Sequence, residues 1–191
     1  MPQPRITTLA ELVKREGPLP VMRAVRYIRD GALCLVGSHR LGQTDRKLTP
    51  ERFAVDEAGM LCLLRAERPK RPLPAPYQGE VPSLPLSAVD YLAPEQCLDI
   101  DIADIRADVY ALGCILFFLL TGREVFSGPT MVKRMMQHQV ELPPDLKALR
   151  TDVPADLQAI FARMLEKRPS HRYADAEGTA RAFTEWLARR G

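Results

Sequence analysis

The chain has 191 residues, 46% of them hydrophobic and 27% charged, with 27 Lys and Arg against 24 Asp and Glu for a formal net charge of +3. That balance gives material for one well-buried core and is too mild for a nucleic-acid-binding role, so a single soluble domain over 1–191 is expected. No apolar window approaches the ~20 residues that a bilayer span needs, and the N-terminus lacks the charged-then-apolar order of a secretion signal, which predicts a cytoplasmic protein with no membrane contact.

Taken in chain order, residues 7–16 read as a short amphipathic helix closed by Gly17-Pro18. Pro20 suits the first turn of a longer helix reaching about His39, in which Val21, Val25, Ile28, Ala32 and Leu35 recur on one side. Phe53 to Asp56 and Met60 to Leu64 are short apolar runs joined across Glu57-Ala58-Gly59, where glycine can supply the positive φ of a tight turn, and they predict a small hairpin at 53–64. The run Arg65-Ala66-Glu67-Arg68-Pro69-Lys70-Arg71 concentrates basic charge as a solvated stretch. From Pro69 to Pro85 six prolines and few apolar side chains then predict an extended surface loop.

Residues 105–121 are the organising stretch. Val109 to Leu120 is apolar or small on every face, the pattern of a helix buried all round. Asp108 complements the dipole at its front end, and Gly122 follows as a helix-stopping residue. A soluble chain centred on such a helix must wrap amphipathic helices around it. Residues 129–139 predict one, 143–150 a connector, and Leu157, Ile160, Phe161, Met164 and Leu165 mark another helical stripe. Asp175 is a good N-cap for a last helix carrying Ala176, Ala180, Phe183 and Leu187, with Trp186 packing near its end. The expected fold class is mainly α, helices packed around a buried central helix 105–121 with one small β-hairpin at 53–64.

The four cysteines, Cys34, Cys62, Cys97 and Cys114, show no CxxC spacing, and Cys34 and Cys114 fall within apolar helical patterns. They are expected to be reduced core thiols, with neither a disulfide nor a metal site. His39, His138 and His171 likewise lack ligand spacing.

The words Asp90-Tyr91-Leu92-Ala93-Pro94-Glu95, Asp108-x-Tyr110-Ala111-x-Gly113 and Lys167-Arg168-Pro169-Ser170-His171-Arg172-Tyr173 resemble, in order and spacing, the large lobe of bacterial eukaryotic-like Ser/Thr protein kinases. The resemblance covers roughly residues 9 to 188. It implies that Glu95 forms a buried ion pair with Arg172 and that Asp108 holds the catalytic loop by its backbone, which makes these three residues structural anchors. Ser83 and Ser87 fall where activation loops of the family are phosphorylated.

The same resemblance exposes departures in the chemistry. Phosphoryl transfer in this family needs a catalytic-loop base, an Asn and the Asp of DFG to hold Mg²⁺, a Gly-rich loop over the ATP phosphates and a small-lobe Lys. The gapless match sets residues 45–52 on the catalytic loop, which puts Lys47 at the base position, Thr49 at the phosphate-contacting Lys, Arg52 at the metal-binding Asn and Arg65 at the DFG Asp. Two spine positions become Asp45 and Ala66, and the P+1 position becomes Ala88. A rival register makes Asp45 the base, but it needs a two-residue insertion and still finds no Asn, a residue the chain lacks altogether. No GxGxxG occurs, and the chain begins where the family's hinge meets the large lobe, so no small lobe is expected. The reading is a non-catalytic pseudokinase fragment that binds a protein partner, with ATP and Mg²⁺ not expected to act here. The alternative is a Ser/Thr kinase whose small lobe is supplied elsewhere.

Overall fold

Local sequence sets each element, and the computed structural model describes residues 6–64, 87, 89–99 and 102–190. Strand β1 (Thr7–Thr8) runs straight into helix α1 (Leu9–Glu16). The junction is a capping box: the Thr8 hydroxyl accepts the Glu11 N–H at 3.2 Å, and the Glu11 carboxylate accepts the Thr8 N–H at 2.8 Å. Two of the otherwise unpaired amides of the first turn are thereby satisfied. Helix α2 (Val21–Arg40) buries Val21, Val25, Ile28, Ala32 and Leu35 as its spacing predicts, while Pro20 sits just outside as the N-cap residue.

Strands β2 (Phe53–Val55) and β3 (Leu61–Leu63) form the expected hairpin, with Phe53 paired to Leu63 and Val55 to Leu61. β1 adds to its other side, Thr7 opposite Val55, so the sheet has three antiparallel strands in the order β1-β2-β3. A two-residue strand carries no periodicity to read, which is why the sequence showed only the hairpin.

Helix α3 (Arg106–Thr121) is the axle. Every residue from Ala107 to Phe117 is buried, and so are Leu119 and Leu120. Full burial of a Leu, Ile or Phe side chain stabilises by about 1.5–3 kcal/mol, so α3 is the largest single contributor to the core. It ends at Gly122, whose left-handed φ of 69° lets its N–H return to the Phe118 carbonyl at 2.8 Å. Around it pack α2, α6 (Ala155–Met164) and α7 (Ala176–Ala188), while α2 lies along α7 and also covers β3. Helix α4 (Met131–Val140) follows the axle, and the expected connector contains a further short helix, α5 (Leu146–Leu149), started by Asp145 accepting the Lys147 N–H. Asp175 caps α7 through the Gly178 N–H at 2.7 Å. Trp186 is buried and donates its indole N–H to Asp156 at 3.1 Å.

One expectation is corrected. Cys34 and Cys62 are exposed rather than core thiols, since Cys34 lies beside the buried stripe of α2 and Cys62 occupies the open face of edge strand β3; only Cys114 is fully buried. The proline-rich stretch 69–85, with Arg65, Ala66, Ser83 and Ala88, lies outside the described residues.

Candidate functional site

The loop from Leu41 to Thr49 follows α2 and is fixed from below by one carboxylate. Asp108, 1% exposed, accepts the Asp45 N–H at 2.8 Å and the Arg46 N–H at 3.0 Å. His39 Nε2 lies 3.0 Å from the same carboxylate, and His39 Nδ1 accepts the Ala176 N–H at 3.1 Å. Because Nδ1 is the acceptor, the ring proton sits on Nε2 and is donated to Asp108. Three charge-assisted donors meet the buried carboxylate, each worth more than a neutral hydrogen bond. Arg46 takes a left-handed φ of 64°, and its carbonyl accepts Gln96 Nε2 at 2.8 Å while Gln96 Oε1 accepts the Ala93 N–H. The loop is thus tied to both the axle and the 89–99 segment.

Above this floor, Arg52 lies flat against Asp45. Its two terminal nitrogens donate to the two Asp45 oxygens at 2.7 and 2.9 Å, and its Nε donates to the Leu64 carbonyl at 2.9 Å. Both side chains are less than a fifth exposed. The 3₁₀ turn Pro50–Arg52 brings the arginine back over the loop, and Leu64 N–H closes the arrangement on the Arg52 carbonyl at 2.7 Å. The sequence reading set Arg52 at the metal-binding Asn position and named no partner for it; in the structure Asp45 neutralises it. Lys47 is exposed beside the pair, and Thr49 precedes the turn. Lys47, Asp45 and Arg52 share an open cleft of about 920 Å³ with Ser38, Thr44 and the two exposed cysteines.

A second set of anchors lies beneath. Arg172, its side chain wholly buried, donates to both Glu95 oxygens at 2.7 and 2.8 Å. It also donates to the carbonyls of Glu166, Arg106 and Lys167 and lies over the Tyr110 ring at 4.9 Å. Asp90, 2% exposed, takes Arg134 Nη1 on both oxygens at 2.6 and 2.7 Å, and burial raises its pKa against the pull of that arginine. His138 is fully buried, 3.0 Å from the Tyr110 hydroxyl and edge-on to Phe126; burial, with the nearby Lys167 charge, pushes its pKa down to about 3. Lys167 donates to the His138 carbonyl at 2.8 Å, and burial lowers its pKa to about 8. Ser87 is exposed.

Among the described residues no three His, Cys, Asp or Glu side chains converge on a metal position, and no helix is long and apolar enough to cross a membrane. The axle, the loop strapped to its buried aspartate and the Glu95–Arg172 pair together make a kinase large-lobe-like fold. The chain is a homologue of bacterial Ser/Thr protein kinases. It is 31% identical over 169 residues to the Ser/Thr-protein kinase PknB of Mycobacterium tuberculosis, which covers 88% of this chain and 27% of that protein. It is 27% identical over 175 residues to PksC of Streptomyces coelicolor, across 92% of this chain and 31% of that one. For drp72 of Corynebacterium efficiens the identity is 29% over 177 residues, 93% and 33% of the two chains. The chain therefore spans about a third or less of the length of these curated relatives. No protein-family model matches it.

Proposed function

We propose that this chain is a non-catalytic, pseudokinase-like large lobe that works by binding another protein. The observation that carries the reading is the Arg52–Asp45 pair. Asp108 grips the backbone of Asp45 and Arg46, at the start of the stretch that the gapless match sets on the catalytic loop with Lys47 at the base position. A cationic side chain there cannot accept the substrate hydroxyl's proton as a carboxylate would. Arg52 fills the metal-ligand position with a guanidinium, and Asp45, the one carboxylate among the described residues lining the cleft, has both oxygens taken by it. The donor set at this end of the cleft does not fit Mg²⁺. Phosphoryl transfer rests on positioning and charge stabilisation, so losing both removes nearly all of the rate.

Association is supported by apolar side chains at one end of the sheet. Thr7 pairs with Val55 and Val55 with Leu61, which places Ile6 and Met60 at the same end, 49% and 67% exposed. The activity in the relatives' names favours a second reading, ATP-dependent phosphotransfer completed by a small lobe on another polypeptide.

Two measurements separate the readings. Mg-ATP at about 100 times its dissociation constant would stabilise a binding protein by about 2.7 kcal/mol, a shift of roughly 5–10 °C for a chain of this size. The expected shift is nil, with no labelled phosphate reaching a generic protein substrate. An Mg-dependent shift together with transfer would establish the enzyme. For association, sedimentation showing a clean monomer at high concentration, with no protein partner retained on the immobilised chain, would remove the binding reading.

A further inference from the structure

Helix α4 is held to the rest of the fold along one line. His138 is its one buried residue, and Arg134, a turn before it, clasps the buried Asp90. At 3.6 residues per turn, Val132, Met136 and Val140 form a ridge about half a turn round from that line. They are 66%, 54% and 73% exposed, and Leu142, just past the helix end, is exposed as well. Single exposed apolar side chains are ordinary, whereas an apolar row marks a surface that meets something. The inward grip of Arg134 and His138 fixes which way the ridge points, so it cannot turn into its own core. Beside it runs a second row, Lys133, Gln137 and Glu141. Gln137 Nε2 donates to Glu141 Oε2 at 3.0 Å, and Lys133 Nζ lies 3.4 Å from Glu141 Oε1, with both charged side chains exposed. This row is positive at one end, neutral in the middle and negative at the other, and the ridge reads Val, Met, Val in either direction. A surface with both properties is complementary to itself when a second copy is turned end for end.

We propose that α4 is the contact between two copies of this chain, which pack their Val132–Met136–Val140 ridges antiparallel about a two-fold axis at Met136. In such an isologous contact each unlike residue pair is made twice. Met136 meets the partner's Met136, and Val132 meets the partner's Val140. Lys133 faces the partner's Glu141, while Glu141 faces the partner's Lys133. An unrelated protein would need its own matching pair of rows, and a second copy already carries them. Ten residues at about 1.5 Å each give a ridge about 15 Å long, which covers far less than the ~800 Å² per partner of a standard interface, so the dimer is weak and concentration-dependent. The contact uses a different surface from Ile6 and Met60, and it holds whether or not the chain transfers phosphate.

The test is sedimentation equilibrium of the full chain from micromolar to millimolar concentration. The expected average mass rises from that of a monomer toward twice that value. Met136→Glu, checked for unchanged helicity, places two carboxylates on the axis and should weaken the dimer by at least about tenfold, as loss of a central contact does. Lys133→Glu leaves the second row acidic at both ends, and Glu141→Lys leaves it basic at both ends, so each variant alone should associate less than the parent. An equimolar mixture of these two should regain the dimer as a mixed pair, a rescue that the ion pair within one chain cannot produce. Three results would overturn the proposal: a monomer at every concentration, association that Met136→Glu leaves untouched, or a mixture that associates no better than its components. A monomer that still retains a different protein when immobilised would overturn the dimer and leave the binding role proposed above standing.

Discussion

Replacing Arg172 by alanine should remove a large share of the stability of this fold. The guanidinium makes two short bonds to Glu95 and three more to main-chain carbonyls, in a position where it has no contact with water. Alanine leaves a largely buried carboxylate without its countercharge and three carbonyls without their donor. Breaking one side of a buried pair costs about 3–5 kcal/mol, against a typical total of about 5–15 kcal/mol. An internal control is available in Arg40–Glu177, whose side chains are 67% and 56% exposed and whose pairing should matter little. Urea unfolding followed by the fluorescence of Trp186, the sole tryptophan, reads both. With a slope of about 1–3 kcal/mol per molar urea, Arg172→Ala should lower the midpoint by at least about 1 M, while Arg40→Ala leaves it nearly unmoved. If Arg172→Ala does not fold at all, Glu95→Gln keeps the shape, removes the charge and should give a smaller loss. An Arg172→Ala midpoint equal to that of the parent would refute the reasoning.

The buried histidine makes stability depend on pH. His138 has an ordinary value of 6.5 when unfolded and about 3 when folded, so its stability contribution is complete above pH 6.5 and is lost as pH falls toward 3. The loss is at most about 5 kcal/mol; His138→Gln should flatten the profile of urea midpoint against pH in that window, and an unchanged profile would count against it. Gly113→Ala should destabilise by about 1–3 kcal/mol, because its Cβ would come within 3.0 Å of both Leu165 Cδ2 and Met164 Cβ; a calorimetric midpoint equal to the parent's would show that α3 and α6 can separate freely. Asp108→Asn should speed hydrogen exchange at the Asp45 and Arg46 amides by about ten- to a hundredfold, the equivalent of losing a charge-assisted bond. Equal exchange rates would mean that the loop holds its shape without the carboxylate.

Helices with long periodic stripes were legible in the sequence because 3.6-residue spacing survives any tertiary arrangement: α2, α3, α6 and α7 fall within a few residues of where Val21–Leu35, Val109–Leu120, Leu157–Leu165 and Ala176–Leu187 put them. The four-residue α5 depends on one Asp145 cap and leaves no stripe. The exposure of Cys34 was misread because it stands next to Leu35, one position off the buried face, where apolar composition and helical phase disagree. At the site, the resemblance set Lys47, Thr49 and Arg52 on one loop, and the structure brings Lys47 and Arg52 to one cleft with Asp45. The ring of His39 bridging Asp108 to the start of α7 could not be placed from the sequence, since it joins positions far apart in it. Nor could Asp45 as the partner of Arg52, because that pairing needs the left-handed turn at Arg46 and the return through Pro50.

The packing of α2 along α7 has a consequence for synthesis on the ribosome. Helix α2 is made well before Ala176–Ala188, the helix that packs along it. At roughly 5–20 residues per second, the side of α2 that α7 covers waits for something on the order of ten seconds or more without that neighbour. Nascent chains stalled before Asp175 should therefore be cut readily by protease within α2, and chains that include α7 should resist. Until α7 emerges, the growing polypeptide presents a hydrophobic helix surface that a chaperone can hold and another nascent copy can mispair with.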